Sequence, residues 1–378
     1  MAVNFPNSPA INDIFTSGSS SWKWDGVKWV PLSGSAILTG DGVNILRRNG
    51  GLEVWQRGAG GSAAISVPAG SSTYVSDGWY LGTNAGQASV ALETAGIVNG
   101  SRTACTLRRT AGQTGVGIMY FGFPLDTDEL FPMQGKFVRL SFTAMAGANF
   151  SPASGMLSAV LYAGSGTPTR VFGGTSYTGP SSPLTMTANL TGAATRYQST
   201  SGAIVPVNTR QAEVVFNWTP VGTAGADDSF TIDDVQLEIV PAATGYVSSD
   251  FERLNFEEQL LLCQRHFQKT FAYSVAPANA VGADLNEYQT ILGKGGAVTQ
   301  FVTIRWPMPM RVFPSALLFN PAVGGAAGQM RILSLSADCT GTSWNILQTN
   351  MGRVLATSTA AATIGDLIGI NYLADAGI

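Results

Sequence analysis

The chain has one histidine, three cysteines and few charges among its 378 residues. With His266 as the single imidazole, histidine-based metal ligation is excluded. Any Ser-His-Asp triad would have to use that one ring, and no Gly-x-Ser-x-Gly nucleophile elbow is present. A lone histidine on a packed helix reads as structural. Cys105, Cys263 and Cys339 are odd in number, far apart and outside any Cys-x-x-Cys. They read as reduced, buried small hydrophobes, not as a disulfide framework or a zinc site. Charged residues make up 12% of the chain, and the net charge is −3. That is about half the usual charged fraction, with no basic or acidic tail. It leaves no electrostatic footprint for nucleic acid or an anionic membrane. No run of apolar residues is long enough to span a bilayer, so no membrane insertion is expected. The opening MAVNFPNSPA lacks a basic n-region and an apolar h-region, so synthesis in the cytoplasm without a signal peptide is expected.

Glycine is abundant (45 residues), and 45% of the chain is hydrophobic. Together with plentiful Ser, Thr and Ala, this is the texture of many short strands joined by tight turns. The expected class is all-β, and the length suits two or three units. Residues 1–40 hold too few apolar side chains for a domain and read as an aromatic segment and linker. Residues 41–250 read as a jelly-roll-like β-sandwich, from alternation such as Val138, Leu140, Phe142 and Val214, Phe216, Trp218. The strand over 229–240 changes phase at Asp233-Asp234, which predicts a β-bulge. Residues 251–378 read as one helix plus a smaller C-terminal β-sandwich. The helix is expected over Asn255–Phe271, with Asn255 as N-cap, Glu258 completing a capping box, and Phe256, Leu260, Cys263 and Phe267 as one stripe. Val302, Ile304 and Trp306 alternate on a later strand, which prolines 307, 309 and 314 then interrupt.

The densest aromatic stretch is Ser21–Val30, SWKWDGVKWV, with three of the chain's eight tryptophans. Asp-Gly between β-formers signals a tight hairpin. A two-residue turn at Asp25-Gly26 would pair Trp24 with Val27 and Trp22 with Trp29, placing Trp22, Trp24, Val27 and Trp29 on one face. A two-stranded hairpin is marginal alone in water, so that face needs cover from its own chain, a second copy or another protein. Carboxylates are the remaining chemical candidates: Asp126-Thr127-Asp128-Glu129, Asp227-Asp228 and Asp233-Asp234. A glycosidase would need two carboxyls about 5–9.5 Å apart, and a solvated turn or bulge is the plainer reading of such clusters. No catalytic residue is assigned, and the chain is expected not to be an enzyme. No metal site or cofactor is expected; calcium is the one ion that suits loop oxygens.

Three stretches carry a family resemblance. FPNSPAINDIFTSGSSSWKWDGVKWVPL (5–32) resembles the N-terminal aromatic module of bacteriophage tail-fibre and virion-spike proteins. NILRRNGGLEVWQRG (44–58) with YVSDGWY (74–80) resembles the opening of their carbohydrate-binding-like β-sandwich domains. IDDVQLEIVPAATGYVSSDFERLNFEEQLLLCQRHFQK (232–269) is similar to their close, and WPMPMRVFPS (306–315) to the element that follows. Ile239-Val240-Pro241 and Gly245-Tyr246 depart from the usual pattern. The resemblance implies a virion-attached fibre, spike or head decoration, commonly a homotrimer. It would be joined to tail, neck or capsid proteins through its N-terminus and would contact host-surface glycan. On that reading Phe5, Phe15, Trp22, Trp24 and Trp29 form the docking or assembly face, and Trp79 and Tyr80 are glycan-binding candidates. Trp55 reads as structural. The alternatives are a glycan-degrading tailspike enzyme and a cellular carbohydrate-binding module.

Overall fold

The computed structural model describes residues 5–10, 13–17, 20–24, 26–32, 44–58, 64–98, 100–167, 176–244, 246–281 and 289–377. The first sheet is antiparallel and small: β1 (Ile14–Ser17), β2 (Ser20–Trp24) and β3 (Trp29–Leu32). Its hairpin differs from the two-residue expectation. Trp24 pairs with Trp29 and Trp22 with Pro31, so the connection is longer than a two-residue turn; Asp25 itself lies outside the described residues. Val27 therefore lies in the loop, 83% exposed, and is not part of the aromatic face.

A β-sandwich follows. Its strands are β4 (Ile65–Val67), β5 (Ser72–Tyr74), β6 (Tyr80–Thr83), β7 (Ala88–Glu93), β8 (Ala104–Arg109), β9 (Met119–Leu125), β10 (Phe137–Ala146), β11 (Met156–Gly164), β12 (Ser181–Asn189), β13 (Thr195–Gln198), β14 (Ala203–Ile204), β15 (Gln211–Trp218) and β16 (Ser229–Val240). One sheet runs β13-β10-β16-β8-β7-β4, with β14 beside β10; the other runs β12-β11-β15-β9-β6-β5. The apolar half of each alternating strand faces the space between them. Trp79 stacks on Phe121 at 4.5 Å, and Phe142 meets Phe216 edge-on at 4.8 Å. Such ring pairs add about 0.5–1.5 kcal/mol each beyond their area burial. The expected bulge is present. Ser141 pairs with Gln236 and Thr143 with Asp233, so Phe142 faces two residues, Asp234 and Val235. Asp234 adopts φ +50°, a left-handed conformation that Asp tolerates better than most residues.

α1 (Thr127–Leu130) is one turn, closed by a full capping box between Asp126 and Glu129. α2 is shorter than expected, Phe256–Gln264. Asn255 is extended at the N-cap but makes no side-chain cap bond. Glu258 instead lies 3.6 Å from Arg47. Phe267 is not on the helix: it opens β17 (Phe267–Lys269), which pairs with the last strand. The C-terminal sheets contain β18 (Gln289–Lys294), β19 (Thr299–Arg305), β20 (Ser315–Phe319), β21 (Arg331–Ile332), β22 (Ala337–Asp338), β23 (Thr340–Leu347), β24 (Met351–Thr357) and β25 (Ile364–Asp375). β25 is the hub, pairing with β17, β18, β20 and β21, while β19-β24-β23 form a second sheet. Val302, Ile304, Trp306, Val354, Ile368 and Ile370 lie in the core between them.

Buried segment 44–58 joins the sandwich to the C-terminal sheets. Its Glu-Val-Trp-Gln-Arg run is structural, as expected for Trp55, whose indole N–H donates to the Leu52 carbonyl. Tyr273 OH donates to the Glu53 carbonyl and accepts from the Trp55 amide. Arg57 pairs with Asp375 at 2.6 Å, its guanidinium 4.4 Å from both the Tyr74 and Phe267 rings. All three cysteines are buried and unpaired.

Candidate functional site

The five N-terminal aromatics predicted to act together do meet. Phe5 stacks on Trp29 at 5.5 Å and meets Phe15 and Trp22 edge-on at 5.3 and 5.2 Å. Phe15 also approaches Trp22 and Trp29, and Trp24 lies 5.6 Å from Trp29. The register explains this. Phe15 pairs with Trp22 and Trp24 with Trp29, and directly opposed residues share a face. Each of the five rings is only half buried. Among the described residues the three strands pair only with one another. This is an aromatic cluster short of a closed core.

Trp79 and Tyr80 are a correction. Both have no exposed surface. Trp79 points into the sandwich, its indole N–H donating to the Asn49 carbonyl at 2.8 Å. Tyr80 points to the other side of its sheet, where its hydroxyl donates to Glu213 at 2.7 Å. Alternation along a strand shows that two neighbours face opposite ways, but not whether either face is open. Neither ring offers a surface to a sugar.

Tyr120, across the strand pair, keeps a half-exposed ring. Tyr80 pairs with Gly122 and Gly82 with Tyr120. Each tyrosine thus lies over the glycine of the other strand: a methyl at Gly82 would fall 2.1 Å from the Tyr120 ring, and one at Gly122 2.4 Å from Tyr80. The two tyrosine rings are 6.1 Å apart. Tyr120 heads a row that crosses four strands. It pairs with Asn217 on β15, Asn217 with Ser158 on β11, and Ser158 with Thr187 on β12. All four are half buried or exposed. The row sets one aromatic ring beside an amide and two hydroxyls, groups that can stack on and hydrogen-bond a polar ligand. Beside it, Tyr162 pairs with Glu213, and burial together with the Glu213 charge raises the Tyr120 and Tyr162 hydroxyls above the ordinary phenol value. The missed signal was in the sequence: Tyr80-Leu81-Gly82 and Tyr120-Phe121-Gly122 are the same Tyr-apolar-Gly tripeptide on antiparallel neighbours.

The carboxylate clusters are tied into the fold. Asp228 and Arg109 form a fully buried pair at 2.7 Å, and the Arg109 guanidinium also donates to the carbonyls of Gly115, Val221 and Gly222. Asp126 caps α1 and lies 3.3 Å from His266 Nε2, while His266 Nδ1 is 3.0 Å from the Gly377 carbonyl oxygen. Burial and the nearby Arg48 guanidinium lower the His266 pKa to about 4, so the ring is neutral at pH 7. Arg48 pairs with Glu129 at 3.0 Å. These groups surround a cavity of about 290 Å³. Every charge in this junction has an opposite neighbour, which is the arrangement of a structural seam. Among the described residues no group of three or more His, Cys, Asp or Glu side chains is placed to hold a metal, and no helix is long and apolar enough to cross a membrane.

No protein-family model matches the chain, and no curated protein matches it. Solved structures with partial likeness include the enzymatically active domain of bacteriophage CBA120 tailspike protein 4. That pair is 12% identical, with a TM-score of 0.30 over 53% of this chain and 22% of that one. TmCBM61 in complex with β-1,4-galactotriose is 13% identical, with a TM-score of 0.29 over 52% of this chain and 99% of that one. The K1 cleaved adhesin domain of Lys-gingipain from Porphyromonas gingivalis W83 is 16% identical, with a TM-score of 0.27 over 49% of this chain and all of that one. The chain spans about a fifth of the tailspike structure's length. Likeness at these TM-scores carries no functional argument.

Proposed function

We propose that this chain is a structural and adhesive subunit of a bacteriophage virion appendage (tail fibre, spike or head decoration). It attaches through residues 1–40 and turns its β-body toward the host surface. The observation that carries the reading is the aromatic unit. Five half-buried rings sit on a three-stranded sheet of their own, which has too little chain to cover them. Apolar surface left open on so small an element gains free energy from a second surface laid over it. The ordered resemblance of residues 5–32, 44–58, 74–80, 232–269 and 306–315 to virion fibre and spike proteins supports the same reading. The partners are other virion proteins at the N-terminus and further copies of this chain, as a homotrimer, along the body. The Tyr120–Asn217–Ser158–Thr187 row supports contact with host glycan, and the reading gives the chain no catalytic step. Removing residues 1–40 should leave a folded protein that no longer joins particles. Truncated protein found in purified particles at the full-length level would sink the attachment role.

A further inference from the structure

A cavity of about 500 Å³ lies outside the tyrosine row, on the outer face of the opposite sheet. Its floor is made by β10, β13 and β16. Thr143 pairs with both Arg196 and Asp233, and Ser141 with Gln198 and Gln236, so these side chains share the outward face. Its far wall is segment 246–253, laid across that face. Side chains hold the segment where a strand ladder would otherwise run. Gln236 Oε1 accepts from the Glu252 amide, Glu238 from the Ser249 amide, and Gln198 Oε1 from the Ser248 amide.

The bulge aims Asp234 into this groove. Its conformation is held from three sides: its amide donates to Asp233, its carbonyl accepts from Arg196, and Oδ2 pairs with Arg253 at 2.6 Å. Within this network, among the described residues, Ser248 Oγ has no hydrogen-bond partner, and Asp234 Oδ1, on a residue only 5% exposed, has no N–H donor, the neighbouring Asp233 carboxyl being its carboxylate's one further partner beside Arg253. One is an acceptor and the other a hydroxyl. A buried polar group left unmatched costs roughly 1–3 kcal/mol, so the site favours a ligand that supplies hydroxyls. Two guanidiniums and two carboxylates line the groove, so its charges cancel and it does not select an ion. Exposed Val247 and half-buried Phe251 give it an apolar wall. The volume lies within the roughly 300–1,000 Å³ range of small-ligand sites.

We infer that this groove is a second glycan subsite for a neutral saccharide. Vicinal hydroxyls would meet Asp234 and Ser248, and the C–H face of a ring would lie against Val247 and Phe251. The inference extends the glycan part of the reading above, at a different site.

The test titrates the full chain with neutral trisaccharides of glucose, galactose, mannose and N-acetylglucosamine by calorimetry. Two groove variants are compared with Tyr120→Ala. Asp234→Asn keeps shape and tolerates the left-handed backbone but removes the charge; its melting temperature is checked alongside. Val247→Trp fills the groove from an exposed rim without touching the buried network. The expected result is binding of at least one trisaccharide, weakened about tenfold or more by each groove variant and unchanged by Tyr120→Ala. Binding lost in Tyr120→Ala but kept in both groove variants would overturn the groove assignment and leave the tyrosine row as the glycan site. Absence of binding by every trisaccharide would overturn the groove assignment as well. Neither result touches the attachment role of residues 1–40, which particle incorporation tests.

Discussion

A methyl group added at Gly122 would lie 2.4 Å from the Tyr80 ring and hydroxyl, in a place where neither partner has room to move. Gly122→Ala should therefore destabilise the sandwich by about 1–3 kcal/mol, the usual cost of overpacking, measured by urea unfolding. Gly192→Ala is the control, since nothing lies within 4 Å of its added carbon; it should change stability by less than about 0.5 kcal/mol. Equal effects would refute the reciprocal Tyr–Gly packing. Residue roles were the least legible part of the sequence. Alternation separates Trp79 from Tyr80, but the cover over each strand comes from distant chain, so neither candidate ring is open. Tyr120 was legible only through a repeated tripeptide whose meaning depends on register. Trp55 read correctly as structural because its neighbours already resembled a packed run.

Strands and their irregularities were easier to read, because period-two alternation is local. The bulge on β16 followed from a phase change at Asp233-Asp234, and it appears in the observed register. It also has a pH consequence. Burial and the adjacent Asp234 push the Asp233 carboxyl up to about 7. Its folded pKa lies above the unfolded one, so the folded state binds more protons between about pH 4 and pH 7. The Asp233 contribution to stability is thus largest below the unfolded pKa and is lost as pH rises through 7. Asp233→Asn should flatten the fall in denaturation midpoint expected of the parent between about pH 4 and pH 7, the window set by that shift. An unchanged slope would remove Asp233 as its source. Helix α2 was less legible. Its apolar spacing runs through Phe267, but the chain leaves the helix after Gln264 because Phe267–Lys269 find backbone partners on β25. That pairing joins residues about a hundred positions apart, beyond any local pattern. The hairpin loop was mistaken for a related reason. Asp-Gly favours a tight turn, but the longer connection brings Trp24 opposite Trp29, and the ring contacts outweigh the turn preference.

At the scale of the whole molecule, composition alone carried the all-β class, and the described strands fall into an N-terminal sheet, a sandwich and a C-terminal pair of sheets. The seam through Arg57, Trp55, Tyr273 and Asp375 was not legible, since it joins residues that sequence separates by more than two hundred positions. On the proposed function, labour divides along the chain: the aromatic unit attaches, and the body folds and assembles without it. The most direct test is the solution mass of the full-length and Δ1–40 proteins by light scattering. The account predicts the same oligomeric state for both, with the truncated protein keeping its melting temperature. A full-length oligomer that falls to a monomer on truncation would contradict it, and would make the aromatic face a clasp between copies of this chain.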